Sequence, residues 1–80
     1  MKLNLALIKK KRKEKGLFID DMALKLGLTN GSMYWKRENG AYNFKPEEVM
    51  KVSEILEIPI NDLFLSNDYS KMEISNKNAI

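Results

Sequence analysis

Breaks at Gly16, Gly27, Asn39-Gly40 and Pro46 cut the first 65 residues into segments of about one to three helical turns. None of these segments shows the sustained alternation of β-branched residues that a strand needs. A chain punctuated in this way folds as several short helices around one small core. At 80 residues it forms a single domain. Domains this short are often marginal without a staple. The sequence has no Cys, so no disulfide or thiolate metal site supplies one, and no His, the commonest general base and metal ligand.

The first helix is expected from Asn4 to Lys15, with Leu5, Ile8 and the stems of Lys11 and Arg12 facing inward and Gly16 stopping it. The second runs from Ile19 to Leu26. Asp20 and Asp21 lie in its first turn, where the helix dipole favours them. Met22, Ala23 and Leu26 form its apolar face, and Gly27 ends it. A third helix follows, from Asn30 to Glu38, with Thr29 as its cap and Asn30 as the alternative. Asn39-Gly40 closes it, and the loop Ala41–Phe44 leads to Pro46 in the first turn of helix four. Phe44 and Val49 are placed to staple that entry. Val49, Val52, Ser53 and Leu56 face the core, Ile58-Pro59 is a link, and a brief fifth helix spans Ile60 to Leu65, burying Leu63 and Phe64. The folded domain is thus expected over residues 1–65. Residues 66–80 are polar and without periodicity, which reads as a flexible tail.

Charge is mild in total, +3, but uneven. Lys9, Lys10, Lys11, Arg12, Lys13 and Lys15 crowd the first helix, and Lys36 and Arg37 form a second spot. Two basic spots on a balanced domain suit a polyanion. A lone basic run is, by itself, an ordinary solvated face. The apolar stretch Leu3–Ile8 is too short for a signal peptide, whose core needs roughly 7–15 residues. No other stretch has the length of a membrane span, so the chain is expected to be cytoplasmic. The acidic pairs Asp20/Asp21 and Glu47/Glu48 sit at helix starts, where capping and the dipole account for them. No phosphate loop, metal cluster or nucleophile–base pair is present, so an enzyme, a metal and a cofactor are all unexpected.

Helices two and three, joined by a tight turn containing Gly27, have the form of a helix-turn-helix. The small Ala23 lets them cross closely, and the third helix then stands out as a ridge about as wide as the DNA major groove. At this point the chain resembles the Cro/CI family of phage repressors, the XRE-type helix-turn-helix family. The residues carrying the likeness are "RKEKGL" (Arg12–Leu17), "DDMALKLGLT" (Asp20–Thr29), "ENG" (Glu38–Gly40) and "VMKVSEILEIPINDLF" (Val49–Phe64). The ending is most like small regulators from phages or mobile elements of Gram-positive bacteria. The resemblance implies an all-α, five-helix, lambda-repressor-like domain that regulates transcription in a bacterial host by binding double-stranded operator DNA, commonly as a homodimer on palindromic sites. In that family an Arg of helix one pairs with a Glu ending helix three, and Arg12 and Glu38 match those positions. Dimer surfaces usually lie near helix five, here Phe64, Leu65 and Tyr69.

Two features depart from the pattern. Phe18-Ile19 stands where Thr-Gln often clamps a phosphate. The interval from Gly27 to Glu38 is one residue longer than usual, which leaves two registers for the third helix. In one, Thr29 caps, Met33 is core, and Gly31, Ser32 and Trp35 project. In the other, Asn30 caps, Tyr34 and the stem of Arg37 pack inward, and Ser32, Trp35 and Lys36 project. The apolar Met33 favours the first, while the second aligns Glu38 with the family's buried acid. Trp35 points outward in both. The expected DNA contacts are Thr29, Asn30, Gly31, Ser32, Tyr34, Trp35, Lys36 and Arg37, with Asn43 and Lys45 near the groove edge. A competing expectation is a protein-interaction module, an antirepressor or antitoxin-like partner of a second regulatory protein, to which an exposed Trp35 beside Tyr34 and Met33 is also suited.

Overall fold

The computed structural model describes residues 2–65, and the expected tail, with Tyr69, lies outside them. The described chain is all-helical. Four α-helices follow in order: α1 (Leu5–Glu14), α2 (Ile19–Lys25), α3 (Gly31–Glu38) and α4 (Pro46–Leu56). Among the described residues no helix is long and apolar enough to cross a membrane.

Local chemistry accounts for each helix start. The Asn4 side chain caps α1 by accepting the Leu7 N–H at 3.1 Å. The Phe18 N–H, ahead of α2, donates to Asp21 Oδ2 at 2.8 Å. Asn30 caps α3, its Oδ1 accepting the Met33 N–H at 3.1 Å. At α4 the Lys45 N–H donates to Glu48 Oε1 at 2.9 Å, and Pro46 occupies the first position, where its missing N–H is no loss. Beyond α4, Glu57 takes left-handed geometry (φ 55°), and the Ser53 hydroxyl donates to the Ile58 carbonyl at 2.6 Å.

The fifth element differs from expectation. It is a single 3₁₀ turn, Ile60–Leu63, and not a helix reaching Leu65. Phe64 is extended because the chain there pairs with the N-terminal segment. Leu3 and Phe64 form an isolated antiparallel bridge, with Asn4 N–H donating to the Leu63 carbonyl and Leu65 N–H to the Lys2 carbonyl. Residues 2–4 and 63–65 therefore satisfy each other's backbone groups, which a further helical turn would leave at the surface.

The core gathers Ile8 from α1, Met22 and Ala23 from α2, Leu26, Tyr34 from α3, Val52 and Leu56 from α4, then Ile58 and Leu63. Each large apolar side chain buried here is worth about 1.5–3 kcal/mol. The most extensive packing between elements is that of α2 against α3. Two residues permit it. Ala23 is buried with only a methyl group. Gly31 has no side chain, and a Cβ there would collide with the Asp20 carboxylate and press to 3.3 Å on Ile19 Cγ2. Gly27, at φ +75°, turns the chain between them in a conformation that other residues resist. The small residues therefore bring the start of α3 directly against α2.

Candidate nucleic-acid interface

The structure takes the second of the two registers for α3. Asn30, and not Thr29, is the cap. Tyr34 is fully buried and Arg37 nearly so, while Met33 is only half-buried. This corrects the expectation that Tyr34 and Arg37 lie on the contact surface, and that Met33 is the core residue. The physical reason lies in the size of the inward gap. The Tyr34 ring fills space between α3 and the loop before α4, meeting Phe44 edge-on with centroids 6.1 Å apart.

With Tyr34 inward, the exposed residues of α3 and its C-terminal cap are Ser32, Trp35, Lys36 and Asn39. Their spacing, i, i+3, i+4, i+7, makes one continuous stripe along the helix. Trp35 is 52% exposed. Asn39, which reads in sequence only as a helix stop, stands on the same stripe and donates from Nδ2 to the Trp35 carbonyl at 2.9 Å. Lys36 lies with its ammonium 5.5 Å from the centre of the Tyr42 ring. Tyr42 is itself exposed, and the sequence does not single it out. It lies in the loop beyond the Asn39-Gly40 stop, where helical periodicity no longer says which way a side chain points. Of the other expected contacts, Thr29, Asn43 and Lys45 are exposed at the two ends of α3, and Asn30 is exposed but uses its side chain in capping. Gly31 is half-buried against α2.

Two buried ion pairs fix the helix, one to α1 and one to α4. Arg12 of α1 meets Glu38 through two bonds, Nε to Oε2 at 2.9 Å and Nη2 to Oε1 at 3.1 Å, and its Nη1 donates to the Leu17 carbonyl at 2.8 Å. Arg37 donates from Nε to Glu48 Oε1 of α4 at 2.8 Å and from Nη1 to the Met33 carbonyl at 2.9 Å. Both pairs are almost wholly shielded from water. Glu48 thus has a second function beside its helix-start position: its carboxylate joins Arg37 to the Lys45 N–H and so ties the end of α3 to the start of α4.

Burial alone would raise the Glu48 carboxyl's pKa, but the Lys45 N–H and the Arg37 guanidinium outweigh it and hold the group below the ordinary 4.5. A carboxylate lowered in the folded state stabilises fully above its unfolded value. That contribution fades as pH falls from about 4.5 through the lower folded value. Melting curves of wild type and Glu48→Gln should therefore converge on acidification across that range. A gap that stays constant from neutral pH to strong acid would contradict the assignment.

The Tyr34 hydroxyl lies beside the Glu38 carboxylate but makes no hydrogen bond among the described residues. Burial first, and then the neighbouring carboxylate, push its pKa far above that of a free phenol. An unpaired buried hydroxyl is destabilising by about 1–3 kcal/mol, so Tyr34→Phe should leave the melting temperature unchanged or raise it. A fall of several degrees would show that the hydroxyl is bonded in solution.

Comparison of the chain with protein-family models, with curated proteins and with solved structures finds no match.

Proposed function

We propose that this protein is a transcriptional regulator of the Cro/CI (XRE) type that binds duplex DNA by laying the exposed face of α3 in the major groove. On this reading α2 and α3 are the helix-turn-helix of a five-element lambda-repressor-like domain, with the 3₁₀ turn in place of the fifth helix. The observation that carries it is the stripe Ser32–Trp35–Lys36–Asn39, a row of donors, one cation and one aromatic ring on the outer side of a helix whose inner side is anchored by two buried ion pairs. A rigid helix with hydrogen-bonding side chains on its free face is what base-edge recognition requires. Ser32 and Asn39 supply polar groups for base edges, Trp35 an apolar surface for thymine methyls and sugars, and Lys36 a phosphate contact. Thr29 at one end of α3 and Asn43 and Lys45 beyond the other are placed for the flanking backbone. The exposed Lys9, Lys10 and Lys13 of α1 add long-range attraction to a polyanion.

The second reading, a module that docks another protein, is favoured by one observation. Large apolar side chains of the helix-two and helix-three region stand in water: Phe18 is 74% exposed, Leu24 80% and Trp35 52%. Phe18 also replaces the phosphate-binding side chain that the resemblance leads one to expect.

Titrating the isotope-labelled protein with duplexes from its own upstream DNA separates the two. DNA binding predicts shifts of the amides of residues 30–39. If those amides respond only to the neighbouring gene's product, the DNA reading fails. For Lys36→Ala, binding should weaken, and the slope of log affinity against log salt should fall by about 1, the loss of one phosphate contact. An unaltered salt slope would remove Lys36 from the interface.

A further inference from the structure

At its C-terminal end α3 runs into a turn that doubles the chain back over the helix's own last residues. Gly40, at φ +84°, takes the left-handed conformation. Its N–H donates to the Arg37 carbonyl at 3.3 Å, and the Ala41 N–H donates to the Lys36 carbonyl at 2.8 Å. These two bonds are the Schellman pattern of a helix end. The chain then adds a bond that a helix stop does not require: the Tyr42 N–H joins the same Lys36 carbonyl at 3.1 Å. Further on, the loop is anchored again, by the edge-on contact of Phe44 with the buried Tyr34 and by the Lys45 N–H on Glu48. The backbone of Tyr42 is therefore pinned to the very residue whose ammonium stands 5.5 Å from its ring centre, within the range of cation–π attraction. Among the described residues Lys36 makes no ion pair that would hold it elsewhere.

A lysine on an open helix surface samples many rotamers, and fixing it on a phosphate costs that freedom. A ring already beside the ammonium removes part of the cost before any ligand arrives. The ammonium has three N–H donors, so resting on a ring leaves others free for a phosphate oxygen. We infer that Tyr42 is a positioning residue for Lys36: its ring holds the ammonium at the C-terminal end of the α3 stripe and so strengthens the grip of that stripe on a phosphate of duplex DNA. This role rests on the proposed binding of DNA by α3. It belongs to the ring alone, and the Tyr42 hydroxyl has no part in it.

Tyr42 is exposed, so Tyr42→Leu and Tyr42→Phe should melt like wild type. In the free protein the ring current should shift the Lys36 side-chain methylene protons upfield. Tyr42→Phe should keep that shift, and Tyr42→Leu should abolish it. Binding to a duplex from the protein's own upstream DNA should weaken about two- to fivefold in Tyr42→Leu, the factor that an exposed cation–π contact supplies. Tyr42→Phe should bind like wild type. In a Lys36→Ala background, adding Tyr42→Leu should change nothing further. Unshifted Lys36 protons in the free wild type, or wild-type binding by Tyr42→Leu, would overturn the inference. So would weaker binding by Tyr42→Phe, which puts the hydroxyl on the DNA, or a Tyr42→Leu loss that persists without Lys36, which puts the ring there. All four results leave intact the response of the residue 30–39 amides to DNA. Failure of the DNA reading looks different: the Lys36 protons are shifted, yet no duplex moves those amides, and the positioning role falls with it.

Discussion

Replacing Arg37 with alanine is expected to destabilise the fold by about 3–5 kcal/mol, because it strands the Glu48 carboxylate in a site closed to water. Total stability for a domain of this kind is on the order of 5–15 kcal/mol, so the variant should be partly unfolded at moderate temperature. In sequence Arg37 looks like a DNA contact beside Lys36, and its loss would then leave melting unchanged. The structure gives it a different task. Its Nε meets Glu48, and its Nη1 meets the Met33 carbonyl one turn back. The residue therefore closes α3 on α4 and braces α3 against itself. Thermal melts of Arg37→Ala and of the double variant Arg37→Met/Glu48→Leu provide the check. The single change should lower the midpoint sharply, and the double should recover most of the loss, since apolar groups can replace a buried pair at little net effect. A single-variant change within about ±0.5 kcal/mol, the range of ordinary surface substitutions, would return Arg37 to the surface.

That reversal shows what kinds of information a sequence carries. The positions of α1, α2 and α4 were legible because caps, glycine and proline act locally. Asn4, Asp21 and Pro46 each act within a turn of the boundary they mark. The register of α3 was not legible in this way. Asn30 and Thr29 are both good caps, and the choice between them depends on whether Met33 or Tyr34 faces inward. Hydropathy favours Met33, but the tertiary gap beside Phe44 takes an aromatic ring. The alignment of Glu38 opposite Arg12 pointed to the register the structure takes, and it was a long-range clue, 26 residues apart. Glu48 was hidden for the same reason. Its position at a helix start explains it fully until Arg37, 11 residues earlier, arrives beside it. The 3₁₀ turn was missed because its end is set by pairing with Leu3, which no local pattern in Ile60–Leu65 announces.

The same logic separates the outer stripe from its support. Trp35 projects in either register, so its exposure could be read without knowing the fold. Lys36 and Asn39 could not be assigned to one stripe with Ser32 until Tyr34 and Arg37 were known to turn inward. Residues 37 and 38 then carry opposite charges into the interior on adjacent positions, Arg37 toward α4 and Glu38 toward α1. A helix of only eight residues has little stability of its own. Its attitude on the molecule is set by its packing on α2, by these two attachments and by the Tyr34 ring, and any ligand of the outer face depends on them.

The α1 attachment gives the other large expected effect. Arg12→Ala leaves the Glu38 carboxylate buried beside the Tyr34 ring and also frees the Leu17 carbonyl that Arg12 had bonded. Truncating one partner of such a pair costs about 3–5 kcal/mol. In a domain this small that corresponds to a drop in melting temperature on the order of 20 °C. Arg12→Lys should fall between wild type and Arg12→Ala, because a single ammonium keeps the charge but cannot reproduce the two-point contact with both carboxylate oxygens. The neighbouring Lys13→Ala, exposed on the same helix, is the control and should melt like wild type. A descending order of melting temperature from wild type through Arg12→Lys to Arg12→Ala identifies a bidentate buried pair. If Arg12→Ala melts with Lys13→Ala, then Glu38 is solvated in solution, and α3 is held to the domain by its packing on α2, by Arg37 and by Tyr34.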